Sequence, residues 1–204
     1  MKPRKTKKPS PAKDKAVPHK SKVALLIIDM LNPFDFKEAK KIYPAALKAA
    51  KAISQLKQKA KALGVPVIYV NDNFEQWQSD WKALYERCTT ESCLGREIAK
   101  LLKPEPDDYF VLKPKHSGFH ETTLEILLKH MRTDRLILTG IAGNICVLFT
   151  AHDALMREFE VMVPKDCIAS NTALDNKFAL RQFSSVFKIN VKSSKLVNKR
   201  DLCL

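Results

Sequence analysis

Residues 23–29 read VALLIID, six apolar residues in unbroken succession closed by an aspartate. The run is too short for a helix, and continuous rather than alternating apolarity marks a strand covered on both faces, as central parallel strands are. The segments downstream of it decide the fold. IYPAALKAAKAISQLKQKAKALG, residues 42–64, repeats apolar positions at helical spacing, with Pro44 near its start and Gly64 placed as a terminal cap. VPVIYV (65–70) predicts the second strand, and a Trp-bearing loop with one short helix fills the interval to about Lys103. DYFVLK (108–113), RLILTG (135–140) and EVMVP (160–164) predict three more strands, and KINVK (188–192) a sixth. TTLEILLKHM (122–131), NICVLFTAHDALMREF (144–159) and LDNKFALRQFSSVF (174–187) are helical between them. Alternation of this kind from 23 to 193 predicts a doubly wound, Rossmann-like α/β fold: a parallel sheet of about six strands with helices on both faces.

A chain of 204 residues with 45% hydrophobic content suffices for one core, without disulfide or structural metal. No apolar run reaches the roughly 18 residues that span a bilayer, and the N-terminus lacks a secretion signal's apolar core, so no membrane association and a cytoplasmic location are expected. The formal charge is +14, of which residues 1–22 carry +8. That segment mixes Lys with Pro and Ser and has little to bury, so it is expected to be a disordered basic tail. Nucleic acid or another anionic surface is a candidate partner through this tail alone. Residues 194–204 are read as a C-terminal extension. Five cysteines form no CxxC pair, which speaks against both a zinc site and a disulfide framework.

Parallel strands joined by right-handed crossovers put every carboxyl end on one edge, where such folds bind ligands. Asp29 closes the first strand, Lys113 the third, and Cys146 follows the fourth, early in a helix. The three should meet in one crevice as base, cation and nucleophile. A helix N-terminus and a nearby lysine both favour thiolate, Asp29 is suited to carry the proton, and amides of the turn TGIAGNIC (139–146) are suited to hold an oxyanion.

These stretches, VALLIIDMLNPF, FVLKPKHSGFHETTL, LILTGIAGNICVLFTAHDA and VPKDCIAS with Asp166, resemble the isochorismatase-like cysteine hydrolases across residues 22–193. That family includes nicotinamidases, N-carbamoylsarcosine amidase and ureidoacrylate amidohydrolases. The resemblance implies a triad of Asp29 as proton shuttle, Lys113 as electrostatic partner and Cys146 as nucleophile. It further implies a cis peptide between Ile141 and Ala142, an oxyanion hole from the amides of Ala142 and Cys146, and homo-oligomers. The family's spacing selects Lys113 over Lys115. Metal-binding nicotinamidases carry an Asp-x-His pattern after the second strand, whereas NDNFEQWQSDW (71–81) holds no His, and Asp72 alone would hold a transition metal poorly. Neither a metal nor another cofactor is therefore expected. Gly143 replaces a Thr common in the motif and is expected to loosen the turn.

Asn71, Asn73, Phe74, Trp77 and Trp81 are candidate pocket residues, since amides and aromatics suit a small planar substrate. His116, His120 and His152 have no matching partner and are read as surface or packing residues. The expected activity is hydrolysis of a small amide or ureide through a cysteine thioester. The alternatives are isochorismatase-type enol ether hydrolysis, which the cysteine disfavours, and polyanion binding through the tail.

Overall fold

A computed structural model describes residues 20–203. For residues 1–19, the expected disordered tail lies outside the described residues. Residues 21 and 22 instead join the folded unit: the Ser21 amide donates to Met131 O at 2.9 Å, and the Lys22 carbonyl accepts from the amides of Asp134 and Arg135 at 3.0 Å each.

Six parallel strands form the sheet: β1 (Val23–Ile28), β2 (Val67–Asp72), β3 (Tyr109–Lys113), β4 (Arg135–Ile141), β5 (Glu160–Met162) and β6 (Ile168–Ala169). Their order is β3-β2-β1-β4-β5, with β6 pairing the carboxyl end of β4. Chain order reverses between β1 and β4, which locates the crevice. β1 lies at the centre with neighbours on both sides and helices over both faces. Val23, Leu25 and Ile27 enter one core and Ala24, Leu26 and Ile28 the other, which is why the segment is apolar throughout.

The helices α1 (Ala39–Ala62), α2 (Trp81–Thr89) and α3 (Arg96–Leu101) cover the first face. On the second lie α4 (Leu124–Met131), α5 (Cys146–Met156) and α6 (Ala173–Arg181), the last continued by a wider π turn over Gln182–Val186. A short terminal helix, α7 (Lys199–Leu202), lays Leu202 into the α1 side together with Val197, so the C-terminal extension is part of the core.

Several expected boundaries move. α1 begins three residues early and carries Pro44 inside it; Gly64, at φ 73°, ends it with its amide on Lys61 O at 2.9 Å. β2 is displaced two residues towards its carboxyl end, which brings Asp72 into the ladder beside Lys113. The interval after β2 holds two helices, not one. KINVK is not a strand: Asn190 makes a single bridge to Met162, and the sixth strand is Ile168–Ala169. Among the described residues no helix is long and apolar enough to cross a membrane.

Candidate active site

Asp29 leaves β1 in the left-handed region, at φ 52°, a conformation that aspartate tolerates better than most side chains. Its amide still pairs with Val70 O at 3.0 Å, so the strand is held to its end while the carboxylate turns across β2. There Oδ1 accepts the Asp72 amide at 2.7 Å and Oδ2 meets the Lys113 ammonium at 2.9 Å. Lys113 is fully buried at the end of β3, and its Nζ also lies 3.6 Å from Cys146 Sγ and 3.5 Å from Asp72 Oδ2. Cys146, the first residue of α5, completes the group. Three strand ends and a helix start thus bring Asp29, Lys113 and Cys146 together.

The charges of these groups depend on one another. Burial pushes the Asp29 carboxyl above its ordinary value against the pull of Lys113. For Lys113, burial acts downward, but the charges of Asp29, Cys146 and Asp72 outweigh it and hold the ammonium above its ordinary value. The Cys146 thiol is raised, first by burial and then by the Asp29 charge, and Lys113 offsets this only in part. Burial and the Asp29 charge thus work against the thiolate that Lys113 favours.

The turn before Cys146 is tightly built. The Ile141–Ala142 peptide is cis. Gly140 adopts φ 117°, and a Cβ there would stand 2.0 Å from Ile28 O, so only glycine allows β4 so near β1. Gly143 does not loosen the turn: its amide donates to Ala169 O at 2.8 Å. The space a side chain would take there is filled by Ser170 Oγ and Asn176 Oδ1, 2.8 and 3.2 Å from the Cβ position and 3.0 Å from each other. Thr150, one turn into α5, donates to Cys146 O at 2.7 Å and accepts the Gly118 amide at 2.9 Å, tying the loop after β3 to the helix bearing the sulfur.

The candidate pocket residues separate. Asn71 is buried, and both ends of its amide bond the backbone of Leu31, at 2.8 and 3.3 Å, so it braces the loop after β1 and presents no free amide to a ligand. Asn73 donates its amide to Lys113 O at 3.0 Å and caps the next turn through Glu75 N at 3.0 Å. Phe74 packs on the α1-side core, with the Arg87 guanidinium 5.7 Å from its ring. Trp77 is 78% exposed in a shallow groove with Gln76, Gln78, Ser79 and Ala83, none of them part of the Asp29–Lys113–Cys146 group. Trp81 opens α2, half-buried, with the Lys82 ammonium 6.0 Å from its ring. His116 stands against Phe149 at 5.6 Å, His152 against Phe187 at 5.9 Å, and His120 is exposed.

Two residues of the site escape sequence reasoning. Thr150 carries no local signal. Asp72 reads from the sequence only as a poor metal ligand, although neighbouring parallel strands ending together set it beside Lys113. The donors here do not fit a zinc centre of the Asp-x-His kind: Phe74 occupies the His position, and Asp72 is engaged with Lys113 and with the Phe74 amide at 2.7 Å. No group of three potential ligands among His, Cys, Asp and Glu converges among the described residues.

Residues 23–193 match the profile described as an Isochorismatase domain. The chain belongs to the isochorismatase family. It is 46% identical to an uncharacterized isochorismatase family protein, YaaI of Bacillus subtilis (strain 168), over 82% of this chain and 91% of that one. Among solved structures it is similar to an N-carbamoylsarcosine amidase from Thermoplasma acidophilum, with a TM-score of 0.65, 28% identity, and coverage of 85% of this chain and 96% of that one. A pyrazinamidase/nicotinamidase from Streptococcus mutans UA159 aligns with a TM-score of 0.64 and 25% identity over 83% of this chain and 99% of its own. This family of hydrolases includes amidases, and the sheet edge that gathers Asp29, Lys113 and Cys146 lies within its domain.

Proposed function

We propose that the protein hydrolyses a small carboxamide or ureide through a thioester on Cys146. The observation that carries this reading is the single buried group at the sheet's carboxyl edge, with Lys113 Nζ 2.9 Å from Asp29 and 3.6 Å from Cys146 Sγ. In this reading Asp29 takes the Sγ proton as sulfur attacks the substrate carbonyl carbon, and Lys113 offsets the negative charge that moves from carboxylate to sulfur and onwards. The developing oxyanion is received by the amides of Ala142 and Cys146; N–H groups in a helix's first turn have no acceptor within the helix. As the carbon–nitrogen bond breaks, Asp29 returns the proton to the leaving nitrogen. Water, deprotonated by the same carboxylate, then attacks the thioester carbon, and the thiol departs with the proton.

A sulfur beside an ammonium that also holds a carboxylate supports this chemistry over enol ether hydrolysis, and amidases are among the similar proteins. Release of ammonia from a panel of nicotinamide, pyrazinamide, N-carbamoyl amino acids and ureido amides tests it. At least one amide should be turned over by the natural chain and none by Cys146→Ala. Substantial hydrolysis by Cys146→Ala overturns the assignment.

A further inference from the structure

The proposed reaction leaves one charged group of the crevice without a task. Asp72, at the carboxyl end of β2, lies in register with Lys113. Its Oδ1 accepts the Phe74 amide at 2.7 Å, while Oδ2 stands 3.5 Å from the Lys113 ammonium, long for a hydrogen bond. The Asp29 and Lys113 side chains are 7% and 0% exposed, but that of Asp72 is 31% exposed. An entering molecule therefore meets Asp72 and the half-buried Cys146 as the open members of the group.

One ammonium here faces two carboxylates. The Arg87 guanidinium, which lies over the Phe74 ring, does not restore the balance: it donates to Asp35 at 2.8 Å. Lys115, on the loop after β3, is exposed, where solvent and salt screen it. An anionic substituent beside Cys146 would give up water and gain no unspent cation, whereas an N–H donor or a cation would gain the Asp72 oxygen. The chain as a whole carries +14 and attracts anions at long range, so selection in the crevice runs against its overall field.

Building on the reading of Cys146 as nucleophile, we propose that Asp72 is a specificity-determining residue that restricts the crevice to electroneutral or cationic amides. Its Oδ2 accepts a hydrogen bond from a substrate N–H and repels amides that carry a carboxylate near the scissile bond.

Alkylation of Cys146 in the full-length chain tests this without a known substrate. Iodoacetamide is a neutral amide and iodoacetate an anion of nearly the same shape, and both react with the same thiolate. The ratio of their rates therefore cancels the thiolate fraction. The rates are read by mass spectrometry of the peptide containing Cys146 and normalised to the same ratio for glutathione. The normalised ratio should favour iodoacetamide by about tenfold, and Asp72→Asn should bring it at least about threefold closer to unity. Asp80→Asn, which keeps the cap of α2 outside the crevice, should leave the ratio unchanged. A wild-type ratio at or below that of glutathione overturns the proposal even if Asp72→Asn folds poorly, and so does a folded Asp72→Asn protein with the wild-type ratio. Failure of the thioester reading would show separately, as amide hydrolysis by Cys146→Ala, while the alkylation ratio would still report on the crevice.

Discussion

Among the described residues two lysines are buried, Lys57 and Lys113, and they do opposite things with their charge. Lys57, on α1, donates to Tyr69 Oη at 3.1 Å, Lys103 O at 3.0 Å and Asp108 Oδ2 at 2.6 Å. Three oxygens saturate three N–H bonds, and Lys61 adds a second cation, bonding Asp108 at 3.0 Å and the neighbouring Asp107 at 2.6 Å. Lys113 has one close oxygen, on Asp29, and then a more distant carboxylate and a thiol at 3.6 Å. The first lysine is part of a closed network that fixes α1 to the chain before β3. The second is under-coordinated beside a thiol and two carboxylates. Burial and ion pairing do not distinguish the two; incomplete coordination next to a thiol does.

Substituting each lysine separates the two roles most sharply. Lys113→Met and Cys146→Ala should each lower amide turnover by about a thousandfold or more, and the double variant should lose little beyond that, because the groups act as one unit. Lys57→Met should cost about 1–3 kcal/mol of stability in denaturant unfolding, since it removes one of the two cations on Asp108 and the donor to Lys103 O, yet leave turnover per folded molecule unchanged. Equal loss of turnover in both lysine variants would break the distinction.

Thr150→Val probes the support of the crevice on a smaller scale. Loss of the hydroxyl that receives Gly118 N and donates to Cys146 O should cost about 1–2 kcal/mol, measured by chemical unfolding.

The smallest effects come from pH and act on the two regions from opposite sides. Glu105 and Asp107 are held below the ordinary carboxylate range by hydrogen bonds from Lys61. The stability they supply is present above their unfolded values and is lost as pH falls below about 4. Cys146 is raised by burial and by Asp29, and burial raises Cys88 and Cys167 to about 12 from an ordinary 9.0. Their contribution is intact below pH 9 and is lost as pH climbs towards 12, because unfolded thiols ionise while folded ones do not. Thermal melts should thus show an acid limb weakened in Lys61→Met and an alkaline limb shallower in Cys88→Ala.

The fold was legible because its signals are local. A continuous apolar run such as VALLIID reports two covered faces wherever it occurs, and the periodicity of residues 42–64 reports a helix with one buried side. Errors fell where the local signal is weak or shared. KINVK looks like a strand but meets the sheet through Asn190 alone, whereas Ile168–Ala169, two residues long, pairs with β4 only because the turn after β5 brings it there. Asn71 and Trp77 have the chemistry of pocket residues; one spends its amide on Leu31, and the other is left 78% exposed.

By itself the sequence determined the first five strands and the main helices between them, the edge at which Asp29, Lys113 and Cys146 emerge, and the family pattern that links them. Tertiary structure alone decided the state of that site. The Cys146 thiol is raised by desolvation and by the charge of Asp29, which lies far away along the chain. Asp72 gained its place opposite Lys113 from strand register, and Ser170 and Asn176 fill the space beside Gly143. Periodicity is carried by residues a few positions apart, whereas protonation, charge balance and steric room are set by atoms within a few ångströms, whatever their distance along the chain.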